Sequence, residues 1–202
     1  VIIGNGLTEI SSYLFYGCSA LRSITIPDSV ISIKYNAFYG CSKLENITIG
    51  SSVEDIDVMA FQSCKAIKTF YGKYATTDGR ALIKDDKVIL YAKASGTEYT
   101  IPYGVTTIGS YAFHYASLVS VTIPESVTSI EDSAFYYSSD LKKVYCNALT
   151  PPSLSSSVFT QNASGRRIYV YDESVSAYKK KWSSYTDSIY GNGSYNGSEF
   201  TT

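Results

Sequence analysis

One pattern of apolar and polar positions recurs along this chain. Residues 44–61 read LENITIGSSVEDIDVMAF, which follows the rule LxxIxI, then Gly or Pro, then VxxI, then Ala-Phe, with a cysteine three residues later. The same rule fits LRSITIPDSVISIKYNAF from Leu21 and LVSVTIPESVTSIEDSAF from Leu118. Self-similarity at a fixed period is the signature of a solenoid, in which each repeat packs mainly on its neighbours.

The spacing of one marker position in LxxIxI gives the number of repeats. The marker falls at Val1, Ile24, Ile47, Phe70, Tyr99, Val121, Val144 and Ile168, with successive gaps of 23, 23, 23, 29, 22, 23 and 24 residues. An aromatic column keeps step with it at Phe15, Phe38, Phe61, Phe113, Phe135 and Phe159. The columns predict about eight stacked coils whose apolar residues share one core, evenly distributed along the chain.

Within each coil, the pattern predicts three parts. The Ile-Thr-Ile alternation is typical of a strand with isoleucine inward and threonine outward. Pro27, Pro102 and Pro124 follow such strands directly and end them, because proline has no N–H to donate. VxxI then forms an extended second arm, and Ala-Phe with its neighbours forms a helical turn on the opposite side.

Two segments depart from the repeat. In the 29-residue gap, apolar runs on either side of Asp85-Asp86 predict an inserted β-hairpin at about 80–92, in place of the helical turn, and Asp78-Gly79 predicts a turn leading into it. Near the end, residues 166–185 predict a C-terminal cap, with Tyr178 and Trp182 covering the last coil. The Gly/Ser/Asn-rich residues 186–202 predict a flexible tail.

Composition and charge narrow the classes of function. The 202 residues carry a net charge of −1, and the one cationic run, at 179–181, is typical of a solvated face. Nucleic-acid binding is therefore not expected. No apolar run approaches the roughly 18 residues that span a bilayer, so we expect no membrane insertion by this region. Twenty tyrosines against one tryptophan, with abundant Ser and Thr, are typical of an exported protein. The chain also opens within a repeat, so we expect sequence upstream of Val1.

The pattern LxxIxIPxxVxxIxxxAFxxC resembles the BspA-like leucine-rich repeat family over about residues 1–185. The resemblance implies a curved leucine-rich repeat solenoid, an α/β right-handed superhelix with a parallel sheet on one face and short helical turns on the other. It also implies a location on the surface of host-associated bacteria, a role in adhesion or in binding proteins or glycans, and no catalysis. This chain departs from the family pattern in lacking the cysteine at 116 and 138, and in having Asp172 where a proline or glycine is usual.

No side chains in the sequence assemble a recognisable catalytic or metal site, so we expect neither an enzyme nor a cofactor. Cys18, Cys41 and Cys64 recur at a spacing of 23 residues and predict a ladder of small buried thiols, although one disulfide among the three stays open. Cys146 is interpreted as structural. His114, the single histidine, is expected to be a solvent-facing turn residue. The carboxylates of Asp55 and Asp57, and those of the hairpin tip, are too few for calcium.

The outward-facing strand columns are the candidate binding surface. Its proposed ligand-binding residues are Thr25, Thr48, Tyr71, Thr100, Thr122, Tyr145 and Tyr169, with Asn46, Lys143 and Arg167 from the neighbouring column. Tyrosine is a common anchor at interfaces, but Thr and Tyr also favour strands for their own sake, so a merely soluble face is the alternative. A second set of tyrosines in the turns is expected to serve packing.

We therefore expect a non-catalytic, cell-surface binding or adhesion module that recognises a host or microbial surface protein or a glycan on this face. The chain is expected to be a monomer. The alternative function is a structural spacer that displays another domain of a larger exported protein.

Overall fold

The structure is a computed structural model that describes residues 3–195. It is a solenoid of about eight coils. The described residues contain sixteen strands: β1 (Glu9–Ile10), β2 (Ser23–Thr25), β3 (Ser32–Ile33), β4 (Asn46–Ile49), β5 (Asp55–Ile56), β6 (Thr69–Gly72), β7 (Ala81–Lys84), β8 (Lys87–Tyr91), β9 (Glu98–Thr100), β10 (Thr107–Ile108), β11 (Ser120–Ile123), β12 (Ser129–Ile130), β13 (Lys143–Cys146), β14 (Ser153–Leu154), β15 (Arg167–Val170) and β16 (Ile189–Gly191). Helix α1 (Val175–Lys181) lies between two 3-10 helices, Asp172–Ser174 and Ser183–Ser188.

The strands of successive coils pair in parallel, so the predicted solenoid is confirmed. Sheets β2-β4-β6 and β9-β11-β13-β15-β16 form one side of the coils, which we call the strand face. Sheets β1-β3-β5 and β7-β8-β10-β12-β14 form the second arm, where VxxI predicts extended chain. The register pairs marker with marker, as in Ile24↔Ile47 and Val121↔Val144. The marker at Val1 lies outside the described residues.

The strand face is not the single sheet of eight strands that the columns predict. It divides into three strands and five strands, because no pairing joins β6 to β9. The inserted hairpin separates them: before β9 begins, the chain leaves β6, makes a loop at 76–80 and runs through β7 and β8. The loop partly replaces the missing neighbouring strand as a hydrogen-bond partner of β6, since the amide of Phe70 donates to the carbonyl of Gly79 at 2.7 Å.

The hairpin itself forms as predicted, but at a different place in the coil. Asp85 and Asp86 both have positive φ, 51° and 58°, which suits the two-residue turn that matches strand twist. Strand β8 pairs in parallel with β10, Val88 opposite Ile108, so it occupies the second arm and not the helical turn. Tyr91 then fills the aromatic column at the coil where the repeat has no phenylalanine, with its ring 4.9 Å from that of Phe113.

The segments around Ala-Phe are irregular turns, not the helical turns that the sequence predicts. In every coil of the aromatic column except that of Phe61, a residue two positions before the phenylalanine has a left-handed backbone, for example Asn36 (φ 53°) and Ser133 (φ 56°). Another lies two positions after the phenylalanine, for example Gly40 (φ 70°) and Tyr137 (φ 55°). Left-handed residues cannot continue a right-handed α-helix, so the chain bends at these residues and returns to the strand face.

Stacked rings and registered hydrogen bonds tie the turns of neighbouring coils together. The ring of Phe38 lies 5.0 Å from Phe15 and 5.0 Å from Phe61, nearly parallel to both. Side chains also donate to phenylalanine carbonyls one coil earlier: Cys64 Sγ to Phe38 at 2.9 Å, and Ser138 Oγ to Phe113 at 2.6 Å. The serine at 138 thus keeps the donor role of the missing cysteine.

The core is divided at the hairpin, which corrects the expectation of an even distribution. One cluster of buried apolar residues lies on the N-terminal side and another on the C-terminal side. The two hairpin strands serve both. Leu82 and Leu90 pack into the N-terminal cluster, whereas Ala81, Val88 and Tyr91 pack into the C-terminal one.

The last coil is covered by α1 and the segment that follows it. The hydroxyl of Tyr178 donates to Ala148 at 2.9 Å, the indole of Trp182 donates to Pro152 at 2.9 Å, and both side chains are buried. Part of the expected flexible tail belongs to the fold, because β16 pairs in parallel with β15. Residues 196–202 of that tail lie outside the described residues. No helix in the described chain is long and apolar enough to cross a membrane.

Lys93 is a fully buried amine at the boundary of the two clusters. Its Nζ donates to the carbonyl of Phe61 at 2.9 Å, in the donor position that Cys64 occupies one coil earlier. Burial lowers the pKa of Lys93 to about 8 from an ordinary 10.5, although the thiol of Cys64 opposes the shift. A charged lysine here destabilises the fold, because the ammonium loses its hydration shell and does not gain a full set of hydrogen-bond acceptors in return.

Replacing Phe38 by alanine should lower the free energy of unfolding by about 3–5 kcal/mol, because removing a buried ring that packs between two others leaves a cavity. Phe15→Ala is the matched control. Phe15 is half-buried and stacks on one ring only, so its replacement should lower the free energy of unfolding by about half as much. Denaturant unfolding followed by circular dichroism measures both, and equal losses would contradict the stacking account.

Replacing Lys93 by methionine should remove a pH dependence of stability. In the wild type the unfolded chain binds one more proton than the folded chain between the folded pKa of about 8 and the unfolded 10.5. The free energy of unfolding must therefore rise with pH through that window, and the penalty is fully present below pH 8. The wild type should gain about 2–3 kcal/mol relative to Lys93→Met between pH 7 and 10.

An exposed lysine that does not act on Lys93 provides the control for this measurement. Lys43→Met makes the same change at an exposed position, and Lys43 is not among the groups that shift the pKa of Lys93, so this variant should differ from the wild type by a constant amount over the same range. Parallel pH profiles for the wild type and Lys93→Met would show that the amine does not titrate as proposed.

Candidate functional site: the strand face

The outward positions of the strand face form two registered rows. The first row runs Thr25, Thr48, Tyr71 on the N-terminal sheet and Thr100, Thr122, Tyr145, Tyr169, Tyr190 on the C-terminal sheet. The second row runs Ser23, Asn46, Thr69 and then Glu98, Ser120, Lys143, Arg167. The alignment by repeat therefore places side chains from distant parts of the chain next to each other.

Thr122 does not belong to an accessible surface. It is 0% exposed, and Ser120 on the same strand is 3% exposed. Thr122 lies between Thr100 and Tyr145 in register, on strand β11, whose four residues are all buried. Of the proposed ligand-binding residues, Thr25, Tyr71, Thr100, Lys143 and Arg167 are exposed, and Thr48, Asn46, Tyr145 and Tyr169 are partly exposed.

Tyr190 is a member of the surface that the sequence analysis missed. It is exposed and pairs with Tyr169 in register. A signal was present, because Ser-Ile-Tyr-Gly at 188–191 has the same alternation as Asn-Ile-Thr-Ile-Gly at 46–50. The Gly/Ser/Asn-rich composition of the surrounding residues obscured it.

The C-terminal sheet carries a tyrosine–cation cluster, defined as Tyr145, Tyr169, Tyr190, Lys143 and Arg167. The rings of Tyr145 and Tyr169 are stacked 5.1 Å apart, and those of Tyr169 and Tyr190 are 6.4 Å apart. The guanidinium of Arg167 lies 5.3 Å from the centre of the Tyr190 ring. This cation–π contact and the stacking of the tyrosine rings restrict the side chains of the cluster to defined conformations.

The charges in this cluster have one sign. Lys143 and Arg167 are exposed neighbours in register, and neither forms an ion pair with an acidic side chain of the described residues. The hydroxyl of Tyr169 raises the pKa of Arg167 by hydrogen bonding. Like charges directly opposite each other on paired strands are mildly destabilising, so this pair does not stabilise the sheet.

The break in the strand face leaves a cleft beside Tyr71. It has a volume of about 430 Å³ and is lined by Thr69, Phe70, Tyr71 and Gly72 of β6 and by residues 75–79 of the loop. The position of the cleft follows from the hairpin insertion, because a regular coil would place a strand there. Arg80 closes the far side of the loop by donating to the Tyr91 hydroxyl at 2.8 Å.

The turn tyrosines mostly stack from coil to coil. Tyr16 and Tyr39 are parallel at 5.0 Å, and Tyr115 and Tyr137 lie 5.3 Å apart. Several of them are also exposed, with Tyr16 the most exposed of those that stack. The turn tyrosines therefore pack against one another, as expected, and also form an exposed aromatic surface on the turn side.

His114 is buried, not solvent-facing as expected. Its Nδ1 lies 2.9 Å from the carbonyl of Tyr111, and its ring contacts those of Tyr111 and Tyr115. Burial, and then the nearby charge of Lys93, lower its pKa to about 3. A neutral histidine enclosed in this way fills the turn, and no described nucleophile hydrogen-bonds to it.

The four cysteines are free thiols. Cys41 and Cys64 are buried as the ladder predicts, whereas Cys18 is exposed because no preceding described coil covers it. The neighbouring Cys64 thiol and burial raise the pKa of the Cys41 thiol, and burial raises that of Cys146. Residues 3–195 contain no group of three or more His, Cys, Asp or Glu that could hold a metal ion.

Comparisons with known proteins agree with this architecture. The sequence model of the BspA type leucine rich repeat region matches six copies, over residues 1–78 and 87–189. The residues between the two matched ranges, 79–86, carry the first strand of the hairpin and its turn. No curated protein sequence matches the chain.

Three solved structures share the fold. A leucine-rich repeat protein of T. pallidum is 24% identical, with 96% of this chain and 86% of that one covered and a TM-score of 0.54. A leucine-rich cell surface protein of Faecalibacterium prausnitzii is 21% identical, with 93% and 63% covered and a TM-score of 0.55. A leucine-rich repeat protein of Eubacterium ventriosum is 19% identical, with 85% and 59% covered and a TM-score of 0.52. This chain thus spans about six-tenths of two of these proteins.

Proposed function

This chain belongs to the BspA type leucine-rich repeat family, and on that premise we propose that it is a non-catalytic binding module of a bacterial cell-surface protein. The module holds a partner protein against the strand face of its C-terminal half. The tyrosine–cation cluster is the observation that carries this proposal, because three tyrosines and two cations from three adjacent strands converge on one exposed area.

The side chains of the cluster suit a protein interface. Tyrosine and arginine are enriched among the residues that dominate binding energy, because each offers a large contact area and a polar end. The stacked rings of Tyr145 and Tyr169 are already ordered in the free protein, so less conformational entropy is lost on binding. Strands that are hydrogen-bonded on both sides, such as β13 and β15, give the side chains a rigid base.

The charge of the cluster favours an acidic partner surface. An acidic side chain placed between Lys143 and Arg167 would relieve the repulsion of two like charges in register and would gain hydrogen bonds from the guanidinium. Outside the cluster, the proposed surface continues through the exposed Thr100 and, on the N-terminal sheet, through Thr25, Thr48, Asn46 and Tyr71. Thr122 is left out of it, since it is buried.

A spacer role is the second candidate function. It is favoured by the hydrogen bonds that continue from coil to coil across the hairpin, such as Ala94 N to Ile67 O at 2.7 Å. A stack joined in this way is stiff and would display another domain at a fixed distance. An enzyme or anchor domain adjacent to the solenoid in the full-length protein would favour this role.

Removing the stacked pair of the cluster should weaken partner binding. We expect Tyr145→Ala with Tyr169→Ala to weaken binding to the best ligand among immobilised host matrix proteins by about tenfold or more, since interface tyrosines contribute strongly. Surface plasmon resonance at two salt concentrations measures this, and binding should also weaken as salt rises.

Tyr16→Ala with Tyr39→Ala is the matched control, because it removes an equally spaced stacked pair from the turn side. This variant should bind as the wild type does. If both double variants remain folded by circular dichroism and bind equally well, the strand face is not the binding surface.

A further inference from the structure

The cleft at the break of the strand face contains the chemical groups that recognise a sugar ring. We propose that it is a binding site for one saccharide unit of a glycan, held between the ring of Tyr71 and the carboxylate of Asp78. The proposal does not depend on the tyrosine–cation cluster that carries the partner site, because Tyr71 lies on the N-terminal sheet and that cluster lies on the C-terminal one.

Tyr71 offers an open ring face. It is 51% exposed, and among the described residues neither its ring nor its hydroxyl has a stacking or hydrogen-bond partner, in contrast to Tyr145 and Tyr169, which cover each other. The axial C–H groups of a pyranose carry partial positive charge and pack against the negative face of an aromatic ring. An unstacked tyrosine at the edge of a polar cleft is therefore suited to the apolar face of a sugar.

Asp78 supplies an acceptor whose orientation is already determined. Its Oδ1 accepts from Thr76 Oγ1 at 2.6 Å and from the amide of Arg80 at 3.0 Å. A carboxylate has about four acceptor sites, so two bonds to one oxygen leave capacity for the adjacent hydroxyls of a sugar. Thr69 and Thr77 add hydroxyl groups to the same lining.

The loop that presents these groups is preorganised. Gly79 approaches β6 so closely that a Cβ atom on it would lie 2.6 Å from Thr69 Cγ2, and its φ of +69° suits glycine. Behind the loop, the guanidinium of Arg80 also lies 4.8 Å from the ring centre of Tyr99 and donates to the carbonyl of Glu98. A rigid site loses less entropy when a small ligand binds.

Size and polarity distinguish a saccharide from other small ligands. The volume of about 430 Å³ is at the low end of the roughly 300–1,000 Å³ that ligand sites occupy. Hydroxyls, one carboxylate and one exposed aromatic ring line the cleft, and no cationic side chain is among the lining residues to hold a phosphate. Phe70 also borders the cleft, but it is 1% exposed and packs in the core. A neutral polyhydroxylated ring fits this combination.

Saturation-transfer NMR on the intact chain, with the methyl glycosides of glucose, galactose, mannose and N-acetylglucosamine as probes, tests the proposal. At least one glycoside should bind saturably in the millimolar range expected for a single small ring. Tyr71→Ala and Asp78→Asn should each weaken it by about tenfold, whereas Tyr71→Phe, which keeps the ring, should retain it.

Tyr16→Ala is the control, because it removes an exposed tyrosine from the turn side, outside both proposed sites, and it should leave glycoside binding unchanged. The proposal is overturned if none of the four glycosides gives a saturable signal, or if Tyr16→Ala weakens binding as much as Tyr71→Ala. Loss of protein-partner binding in the Tyr145/Tyr169 variant bears on the partner site alone, so the two proposals can fail separately.

Discussion

The repeated contact between equivalent positions of adjacent coils is the interaction on which this structure depends. Backbone groups pair one coil apart on the strand face, on the second arm and in the turns, where Phe38 N donates to Ala60 O at 2.9 Å. The same separation stacks the phenylalanine rings at about 5 Å. A single coil can satisfy neither its backbone nor its apolar side chains, so stability comes from the stack.

The hairpin coil is the one large departure from this regularity, and it explains most of the irregular features. It divides the strand face, it divides the apolar core into two clusters, and it brings a lysine into a position where other coils have a thiol or a hydroxyl. The stack remains joined because β8 still pairs with β10 and Tyr91 still stacks on Phe113. An insertion is tolerated when it preserves the contacts that the next coil requires.

Repetition also accounts for the two proposed binding sites. A solenoid places one residue of each coil in a row, so a change of residue type along the row produces a local cluster. Threonine gives way to tyrosine at 145, 169 and 190, and the neighbouring row becomes cationic at 143 and 167. The cleft has a different origin, because it exists only where the row is interrupted.

The amino-acid sequence was enough to predict the coils, their register, the alternation of inward and outward residues, the hairpin with its Asp85-Asp86 turn and the residues that cover the last coil. These features are encoded locally and repeated, so the columns align themselves. The tertiary structure was needed to show that the strand face is divided, that Thr122 and His114 are buried, that Tyr190 joins the surface and that Tyr71 and Asp78 line the same cleft. Each of these depends on which side chain the neighbouring coil brings alongside, and that neighbour is distant in the chain wherever the repeat is interrupted.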